Sequence, residues 1–246
     1  MNLETLERAC LAAWPALHRE TRDGWEYCAT TGRSGRTNSI WPIAWSEHVG
    51  LEDAIAAASS WCAWHKINTT FKLTDGLTFP RELPQALARL GYAPHTETLI
   101  MTAKVSLGPS PRAPVSLHDA DHEQFWAPLG QSASADDAAE RVDIVRRVRA
   151  PHIFALNYSD AMPACCGMGV LSGELVGIYL MRTAPHARRK GLARQVLRAL
   201  LHWGATHEAR TAYLQVEEAN EPAVRLYASE GFTIAGRYRY WSKPRR

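Results

Sequence analysis

The sequence has 246 residues, of which 46% are hydrophobic and 22% charged, and this composition excludes a largely disordered chain. Its formal net charge of +3 is too small to indicate a nucleic-acid partner. No apolar run approaches the ~18 residues that a membrane span needs, and the N-terminal segment lacks the basic-then-apolar order of a secretory signal. We therefore predict a cytoplasmic protein with no membrane partner.

The first half of the chain is predicted to alternate between helices and strands. Apolar periodicity and turn residues predict helices over 3–17, 51–65 and 80–92, a hairpin around 30–45, and strands over 69–73 and 96–105. The next stretch, "SLGPSPRAPV", contains one glycine and three prolines that interrupt any regular pattern. It predicts a linker over 106–114 between a first domain, 1–105, and a second domain, 115–246.

The second half has a similar pattern. It predicts helices over 121–130 and 136–150, a strand over 152–158, two strands joined at Ser172-Gly173, a helix ending near His207, a strand over 211–217, a helix over 221–231 and a last strand over 236–244. This order is typical of an α/β (α+β layered) fold with a mixed sheet. Both halves close with a helix, a Gly-aromatic pair and a strand, which suggests a diverged internal duplication.

The cysteines and histidines predict no metal site and no disulfide. The five cysteines are odd in number and scattered, with no Cys-x-x-Cys motif, and the adjacent Cys165 and Cys166 should be buried on opposite faces of a strand. His118 and His122 have the i, i+4 spacing of a helical metal site, but no third ligand is evident. We interpret His122 as a surface residue and Asp119 or Asp121 as a helix cap.

The stretch "TAPHARRKGLARQVL" places three cations, Arg188 to Lys190, and then Gly191 at the start of a predicted helix. Cations at a helix N-terminus oppose the helix dipole unless an anion compensates them. The free backbone N–H groups and the glycine suit a diphosphate, although neither a Walker loop nor a dinucleotide fingerprint is present. The alternative is that these cations form an ordinary solvated face.

Two blocks resemble the GCN5-related N-acetyltransferase (GNAT) superfamily. Arg188-x-x-Gly191-x-Ala193, with Pro185 before it, is similar to the acyl-CoA motif Gln/Arg-x-x-Gly-x-Gly/Ala of that superfamily. "LQVEEANEPAVRLYASEGF" is similar to its strand–Asn–x–x–Ala–x–x–Leu–Tyr–x–x–x–Gly–Phe segment, through Asn220, Ala223, Leu226, Tyr227, Gly231 and Phe232. The resemblance covers about 115–244. It implies a GNAT-type mixed central sheet, with the first half as a second, diverged GNAT-like domain that shapes the acceptor site.

The resemblance also implies roles for individual residues. Acetyl-CoA would be the co-substrate, with its diphosphate held by Arg188, Arg189, Lys190, Gly191, Leu192 and Ala193. Met181 and Thr183 would lie beside its pantetheine arm, which Asn220 would also contact, and Tyr227 would protonate the departing thiolate. Many members keep a glutamate that acts as general base, at the position that Gly177 occupies here. Glu217 or Glu218 would therefore have to act as the base instead. Both could equally be solvated acids at a strand end.

The predicted function is transfer of an acetyl group to a primary amine of a small molecule or peptide by direct attack. A sensor that binds acyl-CoA without turnover is the alternative, favoured by the missing glutamate. Arg146, Arg147 and Arg149 suit an acidic acceptor, although a solvated helix face explains them too. In "GRSGRTNSIWP", Arg36 and Asn38 either orient the acceptor or form an ordinary hairpin tip.

Overall fold

A computed structural model describes residues 2–46, 48–107, 115–121, 123–131 and 133–244. His122 and most of the predicted linker lie outside the described residues. The described residues form seven α-helices: α1 (Leu3–Ala13), α2 (Leu51–Trp64), α3 (Leu83–Arg89), α4 (Glu123–Gly130), α5 (Ala135–Arg146), α6 (Leu192–Thr206) and α7 (Glu221–Ser229). They also form eleven strands: β1 (His18–Arg22), β2 (Trp25–Ala29), β3 (Ser39–Trp41), β4 (Thr70–Thr74), β5 (Ala93–Lys104), β6 (Ser116–His118), β7 (His152–Ser159), β8 (Met162–Ser172), β9 (Leu175–Thr183), β10 (Thr211–Glu217) and β11 (Thr233–Ser242).

All of these strands belong to one mixed sheet, in the order β1-β2-β3-β4-β11-β5-β10-β9-β8-β7-β6. Neighbouring strands are antiparallel except β9 with β10 and β3 with β4, which are parallel. The predicted α/β class with a mixed sheet is confirmed.

The middle of the sheet contains a reciprocal exchange of strands between the two halves. β5, the last strand of the first half, pairs with β10 of the second half, and β11, the last strand of the second half, pairs with β4 of the first. β5 and β11 also pair with each other. The two halves therefore share one hydrogen-bonded sheet, because each supplies a strand that completes the other.

The segments that lead into the exchanged strands have the same local geometry. Gly91 after α3 and Gly231 after α7 both have left-handed backbones, with φ of 82° and 86°. The next aromatic residue donates its N–H back to the helix in both cases, from Tyr92 to Leu87 and from Phe232 to Tyr227, at 3.0 Å. A glycine at a positive φ ends each helix without strain, which is why the two endings look alike in the sequence.

The apolar core is divided between the two faces of the sheet. One cluster packs β8 and β9 against α1, α4 and α5, a second packs the other face of these strands against α6, and a third lies under α2 and α3. Cys166 belongs to the first cluster and Cys165 to the second, as the strand periodicity predicts. All five cysteines are buried free thiols.

Several predicted boundaries are wrong. The strand β1 and its hairpin with β2 were missed, although Asp23-Gly24 is a two-residue hairpin turn with positive φ at both positions. α1 ends at Ala13, not Leu17, because Pro15 cannot continue the hydrogen-bond ladder.

Asp121, one of the two predicted helix caps, accepts a hydrogen bond from the Trp126 indole at 2.8 Å. No helix within the described ranges is long and apolar enough to cross a membrane.

Candidate active site

A cavity opens where the parallel strands β9 and β10 stop pairing. Their ladder runs from Leu175 opposite Thr211 to Ile178 opposite Leu214 and goes no further. Beyond it, Tyr179–Thr183 on one strand and Gln215–Glu217 on the other line a cavity of about 1170 Å³. The gap between the strands connects the α1 face of the sheet with the α6 face, so a ligand in it can reach both.

A bulge in β9 lies at the point of separation. Cys166 pairs with Arg182 but Met168 with Tyr179, so β9 has one extra residue here, and Leu180 has a positive φ of 54°. A branched side chain at positive φ is strained, and such strain is found mostly at functional sites. A bulge also redirects the backbone groups of its strand, and the bulged residues Leu180 and Met181 line the cavity.

The turn before α6 presents backbone N–H groups to one end of the cavity. Arg189 and Gly191 have left-handed backbones, with φ of 64° and 78°, and the first helical hydrogen bond runs from Gln195 N to Gly191 O at 3.2 Å. The N–H groups of the first helical turn therefore have no helical acceptor. The first turn carries no acidic residue and no side chain caps it. A methyl group on Gly191 would meet no atom within 4 Å, so space is open above it.

Most of the predicted diphosphate residues surround this end of the cavity, and one does not. Arg188, Arg189, Gly191, Leu192 and Ala193 line it. Lys190 lies outside the lining: its Nζ donates to Ser159 Oγ at 3.0 Å and lies 3.6 Å from Asp160 Oδ2. Because the Asp160 side chain is 87% exposed, this contact stabilises little and leaves the lysine free to turn.

Tyr227 reaches the cavity from α7 and is 7% exposed. Burial raises the pKa of its hydroxyl to about 12, against the opposing effect of the nearby Arg182. Asn220, which begins α7 and also lines the cavity, accepts a hydrogen bond from Ala223 N at 3.4 Å. Met181 and Thr183 line it from β9, and the Thr183 hydroxyl donates to Cys165 Sγ at 3.2 Å. Because its pKa is about 12, the Tyr227 hydroxyl is protonated at neutral pH.

The position of Gly177 has no room for a side chain. A Cβ there would lie 2.5 Å from the Tyr179 ring and 2.6 Å from the Tyr213 hydroxyl. Glu217 is exposed and lines the cavity, whereas Glu218 forms an ion pair with Arg237 at 2.6 Å. Of the two glutamates that the sequence left open, only Glu217 faces the cavity.

The other end of the cavity, on the α1 face, has an aromatic wall that the sequence did not predict. Tyr179, Tyr238 and Tyr240 line it, and the Tyr238 hydroxyl donates to Gln215 Oε1 at 3.2 Å. Arg36 also lines it, with its guanidinium carbon 5.4 Å from the Tyr179 ring centroid. Tyr179 comes from β9 and the other two tyrosines from β11, strands far apart in the chain, so no local sequence pattern could have revealed their grouping.

The loop that carries Arg36 is anchored across the two halves by Glu140 of α5. This buried carboxylate accepts hydrogen bonds from Thr31 N at 2.9 Å, from Ser34 N and from Asn38 Nδ2 at 3.0 Å. The Asn38 amide oxygen accepts from two more loop N–H groups, those of Thr30 and Gly32. Asn38 is buried and does not line the cavity, so it holds the loop in place.

The charged lining of the cavity is almost entirely basic. Glu217 is the one carboxylate among the described lining residues, whereas arginines line both ends: Arg188, Arg189, Arg194 and Arg225 near α6, and Arg33, Arg36, Arg141 and Arg182 on the other side. The predicted trio of Arg146, Arg147 and Arg149 does not line it; Arg147 Nε donates to Pro15 O at 3.4 Å. The cavity is therefore suited to anionic ligands at both ends.

The sheet, the bulged strand and the turn before α6 define the chain as a GCN5-related N-acetyltransferase, as the sequence motifs predicted. It belongs to the family described as the C-terminal part of the probable histone acetyltransferase Rv0428c, whose family model matches residues 2–241. No group of three or more metal-binding side chains occurs in the part of the chain that the structure describes.

Relatives with acetyltransferase names match this chain over different shares of their own length. The chain is 26% identical to the uncharacterized N-acetyltransferase YobR of Bacillus subtilis, over 97% of this chain and 98% of that protein. It is 28% identical to the probable histone acetyltransferase Rv0428c of Mycobacterium tuberculosis, over 97% of this chain and 73% of that protein. A mycothiol acetyltransferase of Corynebacterium glutamicum is 41% identical, but over only 26% of this chain and 22% of that protein.

Solved structures share the fold at low sequence identity. A GCN5-related N-acetyltransferase from Kribbella flavida has a TM-score of 0.71 at 12% identity, covering 98% of this chain and 95% of that chain. A tandem GNAT protein from the clavulanic acid biosynthesis pathway has a TM-score of 0.57 at 16% identity, covering 85% and 77%. The chain is thus an N-acetyltransferase with the GNAT fold.

Proposed function

We propose that the protein transfers the acetyl group of acetyl-CoA to a primary amine of a small molecule or peptide, by direct attack in the cleft between β9 and β10. The observation that carries this proposal is the turn before α6, where free N–H groups and an open space above Gly191 meet a lining of arginines. Residues with these properties fit a diphosphate. GNAT acetyltransferases in general use acetyl-CoA, which supplies the acetyl group when bound.

In this proposal the α6 end of the cavity binds the diphosphate. The backbone N–H groups of Leu192 and Ala193 donate to its oxygens, and the side chains of Arg188 and Arg189 add charge-assisted hydrogen bonds. Lys190 turns from Ser159 toward the phosphates. The strand segment Met181–Thr183 then lies beside the pantetheine amides as an added strand would, with Asn220 on the other side.

The tyrosine and the glutamate of the cavity have complementary roles in the proposed reaction. Tyr227, whose hydroxyl pKa is about 12, stays protonated at neutral pH and donates a proton to the departing thiolate. Glu217, the carboxylate that lines the cavity, removes the proton from the attacking amine, directly or through a water molecule. The backbone N–H groups of the bulged strand polarise the acetyl carbonyl.

We further propose that residues 1–105 form a second, diverged GNAT-like domain and that residues 115–246 carry the acetyl-CoA site. In this proposal the acceptor binds at the end of the cavity on the α1 face, which Ser34, Gly35 and Arg36 of the first half help to line. These three residues lie at the end of the cavity away from the turn before α6. This position supports a role for the first half in binding the acceptor and not the diphosphate.

A thiol-release assay with acetyl-CoA and a panel of primary amines tests the proposal. We expect release that depends on the amine and is lost in a Tyr227→Phe, Glu217→Gln double variant that still binds acetyl-CoA by calorimetry. Binding of acetyl-CoA with no turnover on any amine would instead favour the sensor. The packing at Gly177, where tyrosines fill the space, gives a steric reason for the absence of a glutamate side chain at that position.

A further inference from the structure

Arg36 is held in place by aromatic rings and has no acid to neutralise it. Its guanidinium carbon lies 5.3 Å from the Trp14 ring centroid and 5.4 Å from that of Tyr179. No carboxylate of a described residue lies within the 4.0 Å of an ion pair, and no described acceptor receives a hydrogen bond from its side chain. Arginine is always charged and has five N–H donors, so this group presents a free cation to the cavity.

Carboxylates buried nearby have donors of their own. Glu7 Oε1 accepts from Lys72 Nζ and, at 2.6 Å, from Thr74 Oγ1. Glu140 is saturated by the N–H groups of the loop that carries Arg36. Glu7 Oε2 is buried without a hydrogen-bond partner, but Glu7 already pairs with Lys72, and no ion pair among the described residues joins either carboxylate to Arg36.

The other cations at this end of the cavity each have at least one partner. Arg33 forms an ion pair with Asp136 at 2.5 Å, and Arg141 one with Asp137 at 2.9 Å. Arg182 donates to the carbonyl oxygen of Met181 at 3.0 Å. Arg36 therefore differs from its neighbours in having all its donors free for a ligand.

The backbone next to Arg36 is shaped to bring it against the aromatic wall. A Cβ at Gly35 would lie 2.7 Å from the Tyr240 ring, so only glycine allows the loop to approach that ring this closely. The loop is fixed on its other side by Glu140. A side chain on such a rigid support is preorganised for binding, which lowers the entropy cost of holding a ligand.

We propose that the acceptor is an amine that also bears a carboxylate, such as an amino acid or a peptide with a free terminal carboxylate, and that Arg36 binds this carboxylate. A planar guanidinium fits a carboxylate with two parallel hydrogen bonds. The inference rests on the proposed function, since it assigns the end of the cavity on the α1 face to the acceptor, opposite the turn before α6 that binds the diphosphate.

The test compares matched probes in wild type and in Arg36→Met. The probes are the L-amino acids with their α-amides, and dipeptides with a free or an amidated C-terminus. We expect wild type to prefer the acid, and the ratio of kcat/KM for acid to amide to fall by about 10- to 100-fold in Arg36→Met, with the KM for acetyl-CoA unchanged. Comparing ratios cancels the different basicity of the two amines. Arg36→Lys should recover part of the preference.

Arg22→Met is the matched control, because Arg22 also lies over a tyrosine ring, that of Tyr27 at 5.6 Å, but outside this cavity. It should leave the ratio unchanged, and thermal unfolding of both variants detects any loss of folding. The inference is overturned if wild type acetylates amides as well as acids, if it acetylates no acid probe, or if Arg36→Met loses acids and amides equally. Wild type that acetylates the amide probes yet rejects every acid refutes this inference alone, whereas failure to bind acetyl-CoA, or to acetylate any amine, refutes the proposed function.

Discussion

The hydroxyl oxygens of Tyr179 and Tyr213 lie 2.8 Å apart, beside Gly177, the position that the sequence resemblance assigns to the glutamate of many GNAT enzymes. Both phenols are buried, and burial raises the pKa of each well above its usual value. They share a hydrogen bond in the neutral form, and the glycine at position 177 leaves room for both rings. Glycine at position 177 is therefore required by the packing of Tyr179 and Tyr213 against each other.

Introducing the missing side chain should damage the fold. We expect Gly177→Glu to lower the free energy of unfolding by more than about 2 kcal/mol, because the new Cβ would overlap both tyrosines and a carboxylate would be buried there. Gly130→Ala is the control, since a Cβ at that helix position meets no atom within 4 Å. Denaturant unfolding measures both. A Gly177→Glu protein of normal stability would show that the space is larger than described.

Reversing a charge at the turn before α6 should weaken acetyl-CoA binding. In Arg188→Glu a phosphate partner becomes a repelling charge, so we expect a loss of affinity of about 10- to 100-fold. Arg89→Glu, on α3 away from the cavity, makes the same change in net charge and should bind normally. Isothermal calorimetry gives both affinities. Equal affinities for the two variants would mean that the diphosphate lies elsewhere.

Removing one hydroxyl should separate chemistry from binding. Tyr227→Phe should reduce kcat by about 10²- to 10⁴-fold, as is usual for a general acid, with little change in affinity for acetyl-CoA. Tyr158→Phe serves as the control, because the Tyr158 hydroxyl donates to Gln124 outside the cavity lining. Steady-state kinetics, with single-turnover measurements to isolate the chemical step, report the result. Unchanged chemistry would reduce Tyr227 to a packing residue.

The pH dependence gives a second check on the same group. The acid form of Tyr227 is the active one, and its pKa is about 12, so its contribution should stay constant from neutral pH upward and decline only as pH approaches 12. A decline of kcat centred near pH 10, absent from Tyr227→Phe, would contradict this environment.

Deleting the first half should prevent the second half from folding. Without residues 1–107, β10 loses β5, and β11 loses both of its partners, β4 and β5. Unpaired strands in the middle of a sheet expose backbone donors and acceptors together with apolar surface. We expect the remaining fragment, residues 108–246, to be aggregated or unfolded by circular dichroism. A soluble fragment with cooperative unfolding and acetyl transfer would show that the exchange is dispensable.

The sequence by itself determined the parts of this protein that depend on local pattern. The helix start at Gly191 could be predicted because free N–H groups, a positive-φ glycine and a cation cluster are neighbours in the chain. The same holds for α7, which Asn220 begins and which carries Tyr227. These two blocks were enough to identify the superfamily.

Only the tertiary structure decided which strands pair and which side chains meet. The exchange of β5 and β11 joins residues more than a hundred positions apart, and hydrogen bonding between strands leaves no trace in the periodicity of either strand. For the same reason Arg36 and Tyr179 could not be connected from the sequence: one lies in a glycine-rich loop and the other in a buried strand. Their contact exists because Glu140, from a third element, fixes the loop against the sheet. Local chemistry predicted the turn before α6, whereas the aromatic end of the cavity depends on packing between distant segments.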